Sequence, residues 1–126
     1  MIPSAVDTSH RILFVDNQPE RRAVVRRMPQ SRGHLVTACS RYEDARRMLL
    51  GQAFDVLLTE IRLGAFNGLQ LAILGKDLCP DLQVVVFSGY DDPVLRDEAE
   101  RLGGRYVSKQ FIPERLLRAV QRQTAA

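Results

Sequence analysis

Lysine is nearly missing from this chain of 126 residues, which has only Lys76 and Lys109. The net charge of +3 therefore rests on scattered arginines. Without a concentrated basic tract there is no stripe of the kind nucleic-acid binders present. Cysteine is limited to Cys39 and Cys79, which lack metal-ligand spacing and are too few for a disulfide framework, so free thiols in a reducing cytoplasm are expected. No apolar run approaches the roughly 20 residues of a membrane span. The opening MIPSAVDTSH has no apolar core of signal-peptide type, and a cytoplasmic location follows as the expectation. Repeats, low-complexity tracts and interior linkers are absent too. What remains, with 45% hydrophobic content, is enough for one globular domain over residues 11–126 behind a polar lead-in of residues 1–10.

The apolar residues come in short blocks, each closed by a polar residue. Ile12-Leu13-Phe14-Val15 reads as a buried strand ending at Asp16-Asn17, and Val56-Leu57-Leu58 as another ending at Glu60. Val84-Val85-Val86-Phe87 runs into Ser88-Gly89, and the short Tyr106-Val107 into Ser108-Lys109. His34 to Cys39 alternates loosely and supplies the remaining strand. Helical patterns lie between these blocks. Pro19 and Glu20 suit a first turn. The helix they open carries Ala23, Val24, Val25 and Met28 inward and Arg21, Arg22, Arg26 and Arg27 toward solvent, with Pro29 ending or kinking it. Ser40 with Glu43 has the form of a capping box for a second helix. Gly64 and Gly68 bracket a short segment leading into a third helix to Leu78. Asp91 or Asp92 caps a fourth, and Pro113 starts a last one. Met48 reads as core filler, and His10 and His34 as surface or strand-edge residues without convergent partners.

Strand and helix alternate at a spacing of about 20–25 residues, as consecutive βα pairs do. The predicted class is α/β, a doubly wound five-stranded parallel sheet in order 2-1-3-4-5. In such sheets ligands bind at the carboxyl ends of the strands, where Asp16, Asn17, Glu60, Ser88 and Lys109 gather. Asp16, Asn17 and Glu60 are oxygen ligands suited to a hard cation such as Mg2+. Lys109 would offset the two carboxylates, and Ser88 could hydrogen-bond an anionic oxygen.

These residues carry a resemblance. LFVDN with Asp16, FDVLLTEIRLGAFNGLQL with Glu60 and Gly68, VVVFSGYDD with Ser88 and YVSKQF with Tyr106 and Lys109 resemble, in order, a response-regulator receiver domain of the CheY-like kind. The resemblance spans about Arg11 to Gln121. It implies a two-component signalling role, a histidine kinase or a downstream signalling protein as partner, and no enzymatic turnover beyond self-phosphorylation chemistry. It also implies Ser88 as switch hydroxyl, Tyr106 as switch aromatic, Lys109 as the phosphoryl-contacting amine, and Asp16 as one acid of a magnesium pair. A homodimer is implied through the fourth helix, fifth strand and last helix, where Asp97, Glu98 and Glu100 could face Arg115, Arg118 and Arg122 across a two-fold axis.

Three positions depart from the family's pattern. The phospho-acceptor place holds Glu60 rather than aspartate. Asn17 replaces the second acid, which predicts a weak or absent Mg2+ site. Gln110 follows Lys109 where the family has proline; a cis bond to a non-proline residue costs ~2.5–4 kcal/mol, so a trans peptide is expected. Glu60 reaches up to ~1.5 Å further than aspartate, toward Ser88 and Lys109. Its charge of about −1 only partly imitates the −1.5 to −2 of a phosphoryl group. The favoured reading is an atypical receiver acting by protein contact. The alternative is a receiver that still accepts phosphate with Mg2+, because Asp16, Ser88 and Lys109 remain. Nucleic-acid binding through the arginine-rich first helix ranks below both, since a solvated face explains those arginines more simply. Flavin binding lacks a hydroxyl-rich loop after the first strand.

Overall fold

The apolar blocks form the centre of a parallel sheet. The computed structural model describes residues 10–30, 34–89 and 92–108. In chain order the elements are β1 (Arg11–Val15), α1 (Pro19–Gln30), β2 (Leu35–Cys39), α2 (Tyr42–Gly51), β3 (Val56–Glu60), β4 (Arg62–Leu63), β5 (Phe66–Asn67), α3 (Gly68–Leu78), β6 (Gln83–Phe87), α4 (Pro93–Arg101) and β7 (Arg105–Val107). Five strands pair in parallel in the order β2-β1-β3-β6-β7. That is the predicted 2-1-3-4-5 order once the small antiparallel pair β4–β5 is set aside. Residues 1–9 of the expected lead-in, the last helix, Lys109 and Gln110 lie outside the described residues.

The central strands are buried on both faces, which is why their sequences do not alternate. Leu13, Val15, Leu57, Val84 and Val86 look toward one side, where Ala45 and Leu49 of α2, Leu69, Leu71 and Ala72 of α3 and Ala99 of α4 complete the larger core. Ile12, Phe14, Val56, Leu58, Val85 and Phe87 make a second core on the opposite face, where the Phe14 and Phe87 rings stack at 5.8 Å. Both cysteines are free, Cys39 buried and Cys79 exposed. Among the described residues, no helix is long and apolar enough to cross a membrane.

Several local expectations need correction. The Ser40–Glu43 capping box does not form: the N-cap of α2 is Arg41, with no side-chain cap bond. Ser40 still belongs to the connection from β2, and Glu43 and Asp44 pair instead with Arg41, at 3.8 and 3.9 Å. A capping box does exist at α3, where the Asn67 side chain accepts from the Gln70 amide and the Gln70 side chain accepts from the Asn67 amide. Asp92 caps α4 with Pro93 in its first turn, as expected. The segment between Gly64 and Gly68 is a hairpin, turning at Gly64 with φ +71°, a left-handed conformation that glycine adopts without a Cβ clash.

The histidines are not isolated. His34 is buried, its Nδ1 accepts from the His10 amide at 2.9 Å, and the two rings stack at 5.2 Å. The β1–β2 pairing brings them together, a neighbourhood that residues 24 apart in sequence do not reveal. On α1, Ala23 is exposed rather than inward. The helix is rotated so that Arg21 and Arg22 reach the carboxyl end of β1. Met48 packs against the larger core, while the side chains of Val25, Arg26 and Met28 lie outside the described ones.

Candidate functional site

Asp16 follows the last residue of β1 and is fully buried. A buried carboxylate needs charge and hydrogen bonds to offset its lost hydration. Arg21 supplies both. Its Nε donates to Oδ2 at 2.6 Å and its Nη2 to Oδ1 at 3.0 Å, the two-point geometry that a planar guanidinium offers and an ammonium does not. The Gln18 amide also donates to Oδ1 at 3.0 Å. Arg22 Nη1 donates to the Asp16 carbonyl at 2.7 Å, so two successive arginines close the turn between β1 and α1. The Asp16 hydrogen bonds hold the Arg21 guanidinium more firmly protonated than usual, against the opposing pull of burial.

Glu60 stands at the end of β3, with 13% of its side chain exposed. Its Oε2 accepts from the Ile61 amide at 2.8 Å and from the Arg62 amide at 3.3 Å, and its Oε1 faces Arg21 Nη2 at 3.6 Å. Among the described residues these are its partners, so the carboxylate bends back onto its own loop and toward Asp16. The sequence predicts a forward reach toward Ser88 and Lys109, of which Lys109 lies outside the described residues. The extra methylene instead lets the side chain curl onto the two amides that follow it. Burial raises the Glu60 pKa above its ordinary value and the Asp16 charge pushes the same way, while the Arg62 and Ile61 amides and Arg21 oppose both.

The remaining expected residues divide. Ser88 is buried at the end of β6, its amide bonded to the Val107 carbonyl at 3.0 Å, which puts it at the same edge of the sheet. Tyr106 is buried, with the Arg96 guanidinium 5.0 Å from its ring centroid. Arg96 also donates to Ser108 Oγ at 3.2 Å, and this clamp on Tyr106 was not foreseen. Asn17 is exposed and lines a separate cleft with Ser40, Tyr42 and Phe66. Lys109 lies outside the described residues.

The main omission from the sequence reading is Arg21. Its one signal was an arginine five residues beyond a strand-end aspartate, just inside a proline-opened helix, and the same residue on a solvated face looks identical in sequence. Its presence bears on the metal. A divalent ion of the Mg2+ kind demands near-octahedral oxygen ligands at about 2.0–2.1 Å. Both Asp16 oxygens are already engaged by Arg21 and Gln18, and Asn17 is exposed and lines a separate cleft. Among the described residues no group of three His, Cys, Asp or Glu could hold a metal. The arrangement does not fit such an ion.

Residues 12–121 match the family model described as the response regulator receiver domain. The alginate biosynthesis transcriptional regulatory protein AlgB of Pseudomonas putida is 27% identical over 95% of this chain and 27% of its own length. The chain thus spans about a quarter of the length of the first curated relatives it matches. The response regulator receiver protein CpdR of Brucella abortus is 23% identical over 92% of the chain and 98% of its own length. Among solved structures, the beryllofluoride-activated NtrC4 receiver domain dimer superposes with a TM-score of 0.80 at 19% identity, covering 89% of this chain and 93% of that one.

Proposed function

This chain belongs to the response regulator receiver domain family, and from that premise we propose that it is an atypical receiver, signalling by protein contact with Glu60 in the phospho-acceptor place. The observation that carries the reading is the state of the Glu60 carboxylate. One oxygen accepts from the Ile61 and Arg62 amides and the other faces Arg21, which supports a carboxylate engaged by its own loop and by α1 rather than held ready for phosphoryl transfer. Displacing an attacking oxygen by about 1 Å can cost ~10²-fold in rate. The domain then acts as a signalling module rather than an enzyme, with a histidine kinase or a downstream signalling protein as its partner.

The buried Tyr106 under Arg96 supports a switch aromatic held inward. A homodimer through α4, β7 and the last helix agrees with the exposed Asp97, Glu98 and Glu100 on α4 and with the dimeric state in which NtrC4 was described. Exposed pairs of that kind contribute only ~0–1 kcal/mol each, so they would orient the two copies more than bind them.

The reading of a phosphate-accepting receiver has one observation in its favour: Asp16 and Ser88 are both buried at the site edge of the sheet. Incubation with radiolabelled acetyl phosphate and Mg2+, and separately with a phosphorylated histidine kinase, decides between the two. No label on the chain is expected. A label mapped to Glu60 as an acyl phosphate overturns the contact-signalling reading.

A further inference from the structure

Resting on that reading of Glu60, we propose that Arg21 is the resident cation of the site: a guanidinium tethered to α1 that holds Asp16 and Glu60 together and excludes a divalent ion. The positive group lies where the two carboxylates converge, 2.6 and 3.0 Å from the Asp16 oxygens and 3.6 Å from Glu60 Oε1. Its charge cannot be titrated away in any accessible pH range. A doubly charged ion at the same oxygens would meet a fixed positive charge at contact distance, and it could bind only by expelling Arg21.

The surroundings hold the guanidinium in place. α1 begins at Pro19, and Glu20 lies beside Arg21 in the first turn. Arg22 fastens the same turn to the Asp16 carbonyl. The side-chain requirements are also consistent with one another. Among the described residues, Asp16 and Glu60 with a neutral Asn17 share one guanidinium, whereas an acid at position 17 would call for a stronger cation. Asn17 is exposed and lines a separate cleft. Replacing a diffusible ion by a side chain makes the state of the crevice independent of cation concentration.

The test is cation binding by the full chain, with Mn2+ as a spectroscopic probe and Mg2+ in thermal unfolding. Wild type should show no saturable Mn2+ binding and no shift of its unfolding midpoint up to about 10 mM Mg2+. Arg21→Ala opens the oxygens and should gain at least about tenfold in Mn2+ affinity, with a midpoint raised by Mg2+. Arg21→Gln should gain likewise, and adding Asp16→Asn to either should abolish the gain. Saturable Mn2+ binding by wild type that Asp16→Asn removes overturns the proposal, and it can be measured whether or not the Arg21 variants fold. Folded Arg21 variants with no gain overturn it as well. Label on Glu60 without metal binding would sink the contact-signalling reading and leave this one standing; Mn2+ bound by wild type without label would do the reverse.

Discussion

At the scale of single residues, the controlling fact is that Glu60 sits in a place that disfavours its ionised form. Its folded pKa lies above the ordinary value of 4.5, chiefly because burial penalises the anion. Between the unfolded and folded values the native chain holds the proton more tightly. Stability therefore falls as pH rises through that window, and the contribution present at low pH is lost above the folded pKa. Glu60→Gln keeps an oxygen for the Ile61 and Arg62 amides and removes the titration. Urea denaturation over a pH series should show the decline flattened in the variant; parallel curves for the two proteins would contradict the assignment. Arg21 makes the complementary point. Asp16 is tolerable at full burial because a two-point cation is attached to it, and the two residues form one unit.

At the scale of elements, the site depends on how closely α3 approaches the end of β3. A Cβ built on Gly68 would collide with the Glu60 carbonyl and lie 2.9 Å from Thr59 Cγ2. The obstructing atom is backbone, so it cannot swing away as a side chain could. Gly68→Ala should destabilise by about 1–3 kcal/mol in urea melts, the usual range for overpacking, and should displace Glu60 from its amides. Gly51, at the end of α2, has nothing within 4 Å of its would-be Cβ. Gly51→Ala serves as the control and should be neutral or stabilising by up to about 1 kcal/mol. The capping box at Asn67 and Gln70 begins α3 at the hairpin's last residue, which ties β4–β5 to the helix as one rigid connection.

At the scale of the whole molecule, the sheet divides the interior into two cores. Phe14 is fully buried and stacks on Phe87 in the smaller core. Phe14→Ala should cost about 3–5 kcal/mol in equilibrium unfolding, a large share of the ~5–15 kcal/mol typical of a domain. The loss should appear as a lower denaturant midpoint in one cooperative transition. A separate early transition would show that the two faces unfold independently. The Asp16–Arg21 unit hangs from the same strand as Phe14, so its geometry is underwritten by packing on both faces of β1.

How much of this was legible in the chain follows from how local each determinant is. Strand cores, helix positions and sheet order were readable because an apolar run closed by a polar residue states burial and termination without help from distant residues. Asp16, Glu60 and Ser88 were readable as a set for the same reason, since parallel strands bring their carboxyl ends to one edge. The partners of these groups were not. Arg21 on α1 looks like any solvated arginine until helix rotation turns it onto Asp16, and His34 looks like a strand-edge residue until strand pairing stacks it on His10. The sequence by itself determined which strand-end side chains, Asp16, Glu60 and Ser88, reach the crevice, because register and strand order follow from hydrophobic pattern. Only the tertiary structure decided what they touch, because an ion pair forms by distances of a few tenths of an ångström that helix rotation and loop closure set.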